Sequence, residues 1–321
     1  METMSVKETH RDTPKAYPGL MKRLRTASLL ILLAVALLIG TTLSPLLSWG
    51  IILCTYLFVM LVAAEIVAAC STSSENSEED ITFVGKLVFF LSLILTPTTI
   101  LFLRYDAAWF RSQHAVHFML PVILLASSIS LFFALFPVIF QNKTSITAIE
   151  KRVLERIIAV ILVALGGGTF VSLVSGEHVF RLFVWFILVN AMNDSGAYFV
   201  GARFSSPSLS PVLSPKKTVL GSIGGLGCGM LTGFMLSFLL TSTLSTPANS
   251  PSNLLLCTGT LAVILIAQLG DLMKSIIKRA HGMKDMGTTL PGHGGMSDRL
   301  DGILASCPVF AAFYLLLQTG P

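Results

Sequence analysis

The sequence predicts an all-α membrane protein, a polytopic bundle of about nine transmembrane helices. Three observations predict it. Of the 321 residues, 53% are hydrophobic and only 12% charged, against about a quarter charged in an ordinary soluble chain. The apolar residues fall in blocks long enough to cross a bilayer, which takes about 20 residues per helix. The basic residues collect in alternate loops between those blocks, the asymmetry of a multi-span protein.

The blocks are taken in order. Spans are expected near 27–45, 49–70, 82–103, 115–140, 156–175, 179–200, 220–243, 253–273 and 301–318, the first interrupted at Gly40 and Pro45. Residues 1–26 read as a cytosolic N-terminal tail, because a long polar lead precedes the first block and no small-residue cleavage site follows it. With that tail inside, 19 of the 22 Lys and Arg residues fall on the cytosolic side, leaving only Arg104, Arg111 and Arg181 outside. The expected location is a bacterial-type inner membrane, multi-pass, with the N-terminus cytosolic and the C-terminus outside.

The net charge of +5 sits in short loops between apolar spans. That placement excludes nucleic acid as a partner and fits anionic lipid headgroups and phosphate substrates in a lipid bilayer. The five cysteines, Cys54, Cys70, Cys228, Cys257 and Cys307, are odd in number and lie in or beside apolar blocks with no CxxC spacing. They read as small buried hydrophobes, with no disulfide framework or zinc site.

Two regions follow the tail. Residues 27–178 form an N-terminal transmembrane region with no polar run of obvious chemistry. Residues 179–321 form the catalytic region. Within it, Gly221, Gly225, Gly229 and Gly233 recur every fourth residue, a stripe that lets helix backbones approach closely.

The chemistry concentrates at the end of the eighth span and the start of the ninth. Asp271, Ser275, Lys278 and Arg279 are expected along one face of a helix. The loop that follows holds Lys284 and Asp285, then Pro291-Gly292-His293-Gly294-Gly295, whose glycines permit a tight turn that presents N–H groups to an anion. Ser297 is placed to cap the last helix, and Asp298 and Asp301 share a face of its first turn. Carboxylates from two helices flanking one loop repel by roughly 4 kcal/mol at 4 Å and an effective dielectric of 20. A divalent cation turns that repulsion into binding, so Asp271, Asp298 and Asp301 are the candidate Mg²⁺ ligands.

A second constellation lies upstream. Asn190, Asn193 and Asp194 are polar groups deep in a span and should face a cavity or one another. Ser214-Pro215-Lys216-Lys217-Thr218 reads as a helix N-terminus, Ser at the cap and Pro at the first helical position, with two lysines for a phosphate.

The segment from Gly270 to Asp301 resembles the phosphatidate cytidylyltransferase (CDP-diacylglycerol synthase) family. The shared pattern is carried by Ser275, Lys278, Arg279, Lys284, Asp285, Pro291 to Gly295, Asp298, Arg299 and Asp301. Asp194, Gly196, Ala197, Tyr198, Phe199, Gly201 and Ser214 to Thr218 are similar to that family's nucleotide-binding stretch. The chain departs from the pattern at Lys274, where the family usually has Glu, at Val219-Leu220, where it has Trp-Glu, and at Met286, where it has Ser.

The resemblance implies that a phosphatidic acid oxygen attacks the α-phosphorus of CTP, giving CDP-diacylglycerol and pyrophosphate with Mg²⁺. On that reading Asp271, Asp298 and Asp301 hold the metal. Lys216, Lys217, Lys278 and Arg279 hold the triphosphate and the lipid phosphate. His293 with Gly294 and Gly295 shapes the phosphate loop, and Arg299 either binds phosphate or orients the aspartates. Asp194, Ser214, Thr218, Ser275, Lys284 and Asp285 line the substrates. A K⁺ beside the Mg²⁺ and a homodimer stay open at this point. So do a CTP-dependent polyprenol or dolichol kinase, a transporter and an inactive homologue.

Overall fold

A computed structural model describes residues 45–71, 83–105, 115–139, 145–174, 179–241, 252–289 and 294–319. The tail 1–26, nearly all of the expected span 27–45, and His293 lie outside the described residues. The helices are α1 (Pro45–Ser71), α2 (Phe83–Tyr105), α3 (Ala115–Ile139), α4 (Ile146–Val174), α5 (Val179–Arg203), α6 (Val219–Met235), α7 (Ser237–Thr241), α8 (Asn253–Ala280) and α9 (Ser297–Thr319). The protein is an all-α membrane protein with one small addition. Between α5 and α6, β1 (Ser208–Ser210) and β2 (Ser214–Thr218) pair antiparallel as a two-stranded ribbon.

Among the described residues, six helices are long and apolar enough to cross a membrane: Trp49–Ser71, Phe83–Leu103, Leu120–Val138, Ile146–Val174, Asn253–Ala280 and Ser297–Leu317. Three expected spans differ from their reading: the one placed at 179–200 forms α5 but is not among these six. The one placed at 156–175 begins ten residues earlier, because Ser145 caps a polar first stretch by accepting from the Ala148 N–H, and it continues through a π-helical stretch, Val160–Gly167. The one placed at 220–243 breaks at Leu236 into α6 and α7.

The glycine stripe explains how α6 sits. It packs along α5 more extensively than any other helix pair packs. A Cβ on Gly225 would lie 2.6 Å from the Asn193 carbonyl oxygen, and one on Gly221 would lie 2.8 Å from that of Ala197. Only glycine permits backbones this close. Further down, Trp185 donates its indole N–H to the Gly233 carbonyl at 3.1 Å and stacks on Phe310 at 5.3 Å, tying α5 to α9.

One end of the bundle gathers the polar groups. There Lys151 of α4 donates to the Ala280 carbonyl at the end of α8 at 2.6 Å, and Glu155 pairs with His281 at 2.9 Å. Glu65 of α1 reaches the start of α9. The ribbon sits at the same end, where the Leu213 carbonyl accepts from Arg279 Nε at 3.1 Å.

Candidate active site

Helix α8 has 28 residues. About 20 residues cross the hydrocarbon, so a count from Asn253 places Asp271 near one rim and leaves Lys274 to Ala280 beyond it. The helix stops at Gly282, whose φ of +65° suits a residue without a Cβ. Gly282 N–H donates to the Arg279 carbonyl and Met283 N–H to that of Lys278, at 3.2 and 2.8 Å. This paired closure is a Schellman motif. It reverses the chain so that residues 283–289 and 294–296 lie back over the end of α8 and deliver Asp298 and Asp301 to it.

The charged groups that meet there form a chain of contacts. The Asp271 and Asp301 carboxyls, from different helices, stand within hydrogen-bonding reach of each other. Lys217 of the ribbon donates to Asp271 Oδ2 at 2.5 Å. Lys274 is 2% exposed. It pairs with Asp301 Oδ2 and with Asp298 Oδ1, the latter at 3.2 Å, and donates to the Ser297 carbonyl at 2.7 Å. Lys278 pairs with the same Asp298 Oδ1 at 3.1 Å. The other oxygen, Asp298 Oδ2, accepts the backbone N–H of Met286 at 2.9 Å and of Gly295 at 3.2 Å. Asp194 lies close enough to Asp301 and Lys217 for each to act on its charge.

A polar network one turn deeper fixes the acidic side chains. Gln268 donates to Asn193 Oδ1 at 2.7 Å and to the Ser222 carbonyl at 3.1 Å. Ser222 Oγ returns a bond to Gln268 Oε1 at 2.9 Å. Asn193 in turn donates to Asp194 Oδ1 at 3.2 Å. Three helices, α5, α6 and α8, are thus locked at the depth from which Asp194 and Asp271 project. Polar groups in hydrocarbon need such partners.

The other expected site residues separate into two sets. Lys216, Lys284, Asp285 and Arg299 are exposed at the same end of the molecule. Arg279 reaches outward to the Leu213 and Met283 carbonyls. Gly294 has φ +85°, and Gly295 is buried against Glu65. Ser275 is 8% exposed and spends its hydroxyl on the Asp271 carbonyl at 2.8 Å. The face of α8 turned to the α9 aspartates is therefore Asp271, Lys274 and Lys278, spaced by three and four residues. Ser275 and Arg279 lie one position round from it.

Two local expectations are corrected. Ser214 and Pro215 do not open a helix. They lie in β2, whose register pairs Ser210 with Ser214 and Ser208 with Thr218. The N-cap of α6 is Thr218, whose Oγ1 accepts from Gly221 N–H at 3.1 Å. Thr218 ends β2 where the helix begins, whereas Ser214 and Pro215 are held in the ribbon three and more residues earlier, too far from the first turn to cap it. Ser297 does not cap α9 either. The Asp298 and Arg299 N–H groups already bond to the Gly295 and Met296 carbonyls, so the helical turn starts before Ser297. Its hydroxyl is buried with no hydrogen-bond partner.

The cap comes from a helix more than 200 residues away in the chain. Glu65 of α1 accepts the backbone N–H of Met296 at 2.8 Å and of Ser297 at 2.7 Å. A carboxylate on two helix-terminal N–H groups combines charge-assisted hydrogen bonds with the favourable end of the helix dipole. Sequence reasoning passed over Glu65, but a signal was there. It is the one charged residue in the 27 residues of α1, and an ionisable group inside a span marks function or a buried partner.

A 40% identical stretch of 139 residues is shared with a phosphatidate cytidylyltransferase of Haemophilus influenzae, covering 43% of this chain and 47% of that one. Phosphatidate cytidylyltransferases of Pseudomonas aeruginosa and Thermotoga maritima match at 48% over 59 residues and 46% over 56. These stretches cover 18% and 17% of this chain and 22% and 21% of theirs. The chain thus spans about half the length of the first of these relatives and about a fifth of the other two. The model of the cytidylyltransferase family, in contrast, matches residues 21–317, which takes in α1 to α8, α9 as far as Leu317, and the acidic cluster. The chain belongs to the cytidylyltransferase family.

Proposed function

We propose that this protein is a phosphatidate cytidylyltransferase of a bacterial inner membrane, joining CTP to phosphatidic acid at a site facing the cytosol. The observation that carries the reading is the pair of facing carboxyls, Asp271 and Asp301, at the rim of the bundle with lysines beside them. Relatives that match parts of this chain bear that name.

Family membership implies a divalent metal, and the donor set fits one. Two carboxylates from different helices held this close repel unless a cation lies between them. Hard oxygen donors in small number, with room left for substrate phosphates, suit Mg²⁺. Asp271 and Asp301 would hold it, with Asp194 beside them and Asp298 adjacent through Lys274. When bound, the ion supplies neutralisation of phosphate charge as the leaving group departs.

The chain's own groups do the rest. Two polyanions must be brought together at the surface of a bilayer, so the work is charge neutralisation and in-line placement. A phosphatidate oxygen forms a bond to the CTP α-phosphorus, the bond from that phosphorus to the β-phosphate bridge breaks, and pyrophosphate leaves. Lys217 and Lys278 stand at the two ends of the acidic chain, each able to trade a carboxylate for a phosphate oxygen. Lys216, Arg279 and Arg299 lie outside them for the outer phosphates and the lipid headgroup. Asp298 holds the Gly295 and Met286 N–H groups in place beside the site, and His293 is assigned to the phosphate loop by its place in the sequence alone. Ser275 keeps the backbone of Asp271 fixed. No covalent enzyme intermediate is needed.

The test is turnover by the purified protein in detergent with CTP, phosphatidic acid and Mg²⁺, the CTP labelled in its base. The expected result is label in the lipid fraction and release of pyrophosphate, abolished by chelation. Unlabelled phospholipid accompanied by CDP would instead identify a lipid kinase and overturn the reading.

A further inference from the structure

Lys274 is the most deeply buried charge of the acidic cluster, and its ammonium group meets three oxygens. It pairs with Asp298 Oδ1 and Asp301 Oδ2 and donates to the Ser297 carbonyl, as many partners as a lysine has N–H donors. An ammonium taken out of water at 2% exposure costs several kcal/mol unless carboxylates compensate it. Here two do.

Asp298 is saturated in the same way. A carboxylate offers about four lone-pair sites. Those of Asp298 are taken by Lys274 and Lys278 on one oxygen and by the Met286 and Gly295 N–H groups on the other. A metal ion could reach this carboxylate only by displacing one of them. Asp271 and Asp301 differ: they face each other, and beyond Lys217 on Asp271 Oδ2, Lys274 on Asp301 Oδ2 and the Gly302 N–H on Asp301 Oδ1 at 3.0 Å, their remaining lone pairs are open. The charge count agrees. Asp194, Asp271, Asp298 and Asp301 set four negative charges against the ammonium groups of Lys217, Lys274 and Lys278. One negative charge is left over, and a single divalent ion more than compensates it.

We propose that Lys274 is a built-in cation that closes the Asp298–Asp301 half of the cluster to metal, so that the site holds one divalent ion, between Asp271 and Asp301, rather than two. This rests on the reading of the cluster as a metal site, and it concerns stoichiometry rather than the reaction. Lys274 is a positioning residue. It fixes two aspartates and through Ser297 the start of α9, and it supplies permanently a positive charge that a second ion would have to bring from solution.

The experiment is Mn²⁺ titration of the full-length protein in detergent, without substrates, read by electron paramagnetic resonance or equilibrium dialysis. The parent is expected to bind one Mn²⁺ per chain. Lys274→Glu, which frees both aspartates and adds a carboxylate, is expected to bind two. Lys274→Arg, which keeps the charge, is expected to stay at one. A parent that binds none or two overturns the proposal, as does a folded Lys274→Glu that stays at one. If Lys274→Glu fails to fold, the parent and Lys274→Arg counts still decide. The outcome is separable from that of the functional reading. Cytidyl transfer by a parent holding two ions sinks only the present inference, and one ion without cytidyl transfer sinks only the assigned reaction.

Discussion

Two clusters of buried charge lie at the same end of the bundle, and they are built on opposite plans. In the first, around Asp271 and Asp301, carboxylates outnumber their cations and two of them face each other. In the second, between α2, α4 and the end of α8, each charge meets a different partner, and only Arg156 Nη1 is left without a hydrogen bond among the described residues. Glu155, 3% exposed, meets His281 at 2.9 Å. Arg156, equally buried, lays its guanidinium 3.4 Å from the centroid of the Phe89 ring, a cation–π contact. Lys151 takes the last carbonyl of α8. Both clusters spend desolvation energy to join distant helices. Only the first keeps a surplus of one sign, and a surplus held in place by rigid helices is what a mobile counter-ion or a polyphosphate can complete. The second is a closed clamp. The difference separates a site from a joint without appeal to any motif.

The strongest way to break the comparison is to neutralise one of the facing carboxyls. Asp271→Asn and Asp301→Asn, checked for parental levels in the membrane, are each expected to lower kcat/KM for CTP by about 10³-fold, the loss typical when a preorganised electrostatic contact is removed. The measurement is incorporation of base-labelled CTP into lipid. Activity within tenfold of the parent in either variant would make the facing pair a structural feature like the clamp.

Glu65 sharpens the comparison, because it belongs to neither plan. It touches no ammonium group in the described contacts and holds only backbone N–H groups, yet it sets where α9 begins and so where Asp298 and Asp301 point. Outer-shell partners of this kind cost about 10–100-fold when removed. Glu65→Gln retains one acceptor oxygen and is expected at the lower end of that range, in kcat with KM for CTP unchanged. A rise in KM alone would instead place Glu65 in contact with the nucleotide.

How much of this could be read from the chain follows from where each partner lies. The spans were legible because about 20 apolar residues in a row have few other uses. Asp271 and the Asp298–Asp301 pair were legible because they flank a single loop. The glycine stripe announced close packing through its four-residue period alone. Glu65 was hidden by sequence distance. Nothing in the neighbourhood of an isolated acid in α1 says that its partners are N–H groups beyond residue 290. Lys274 stood out only as a departure from the family pattern. That its ammonium sits between two aspartates needs the exact rotation of α8 against α9. The rotation also decides why Ser275 and Arg279, assigned to the same face, turn elsewhere. The ribbon was missed for a related reason. Ser-Pro suits a helix start and an edge strand equally well, and only the pairing with Ser208–Ser210 chooses between them.

The smallest effect on catalysis is expected from the clamp. Glu155→Gln keeps the shape and one hydrogen bond to His281 but removes the negative charge beside Arg156. Weakening a buried hydrogen-bonded pair costs about 1–3 kcal/mol, which for a protein of this size is a fall of a few degrees in melting temperature. Turnover of CTP below that temperature is expected to stay within about threefold of the parent, since the altered pair contributes nothing to the excess charge between α8 and α9. The informative measurement is therefore the pair of numbers together, thermal stability in detergent and kcat on the same preparation. A variant with parental stability and lost cytidyl transfer would mean that the His281 end of α8 transmits strain to Lys278 and Lys274, three and seven residues upstream. The joint would then be part of the machinery, and the division between the two clusters would fall.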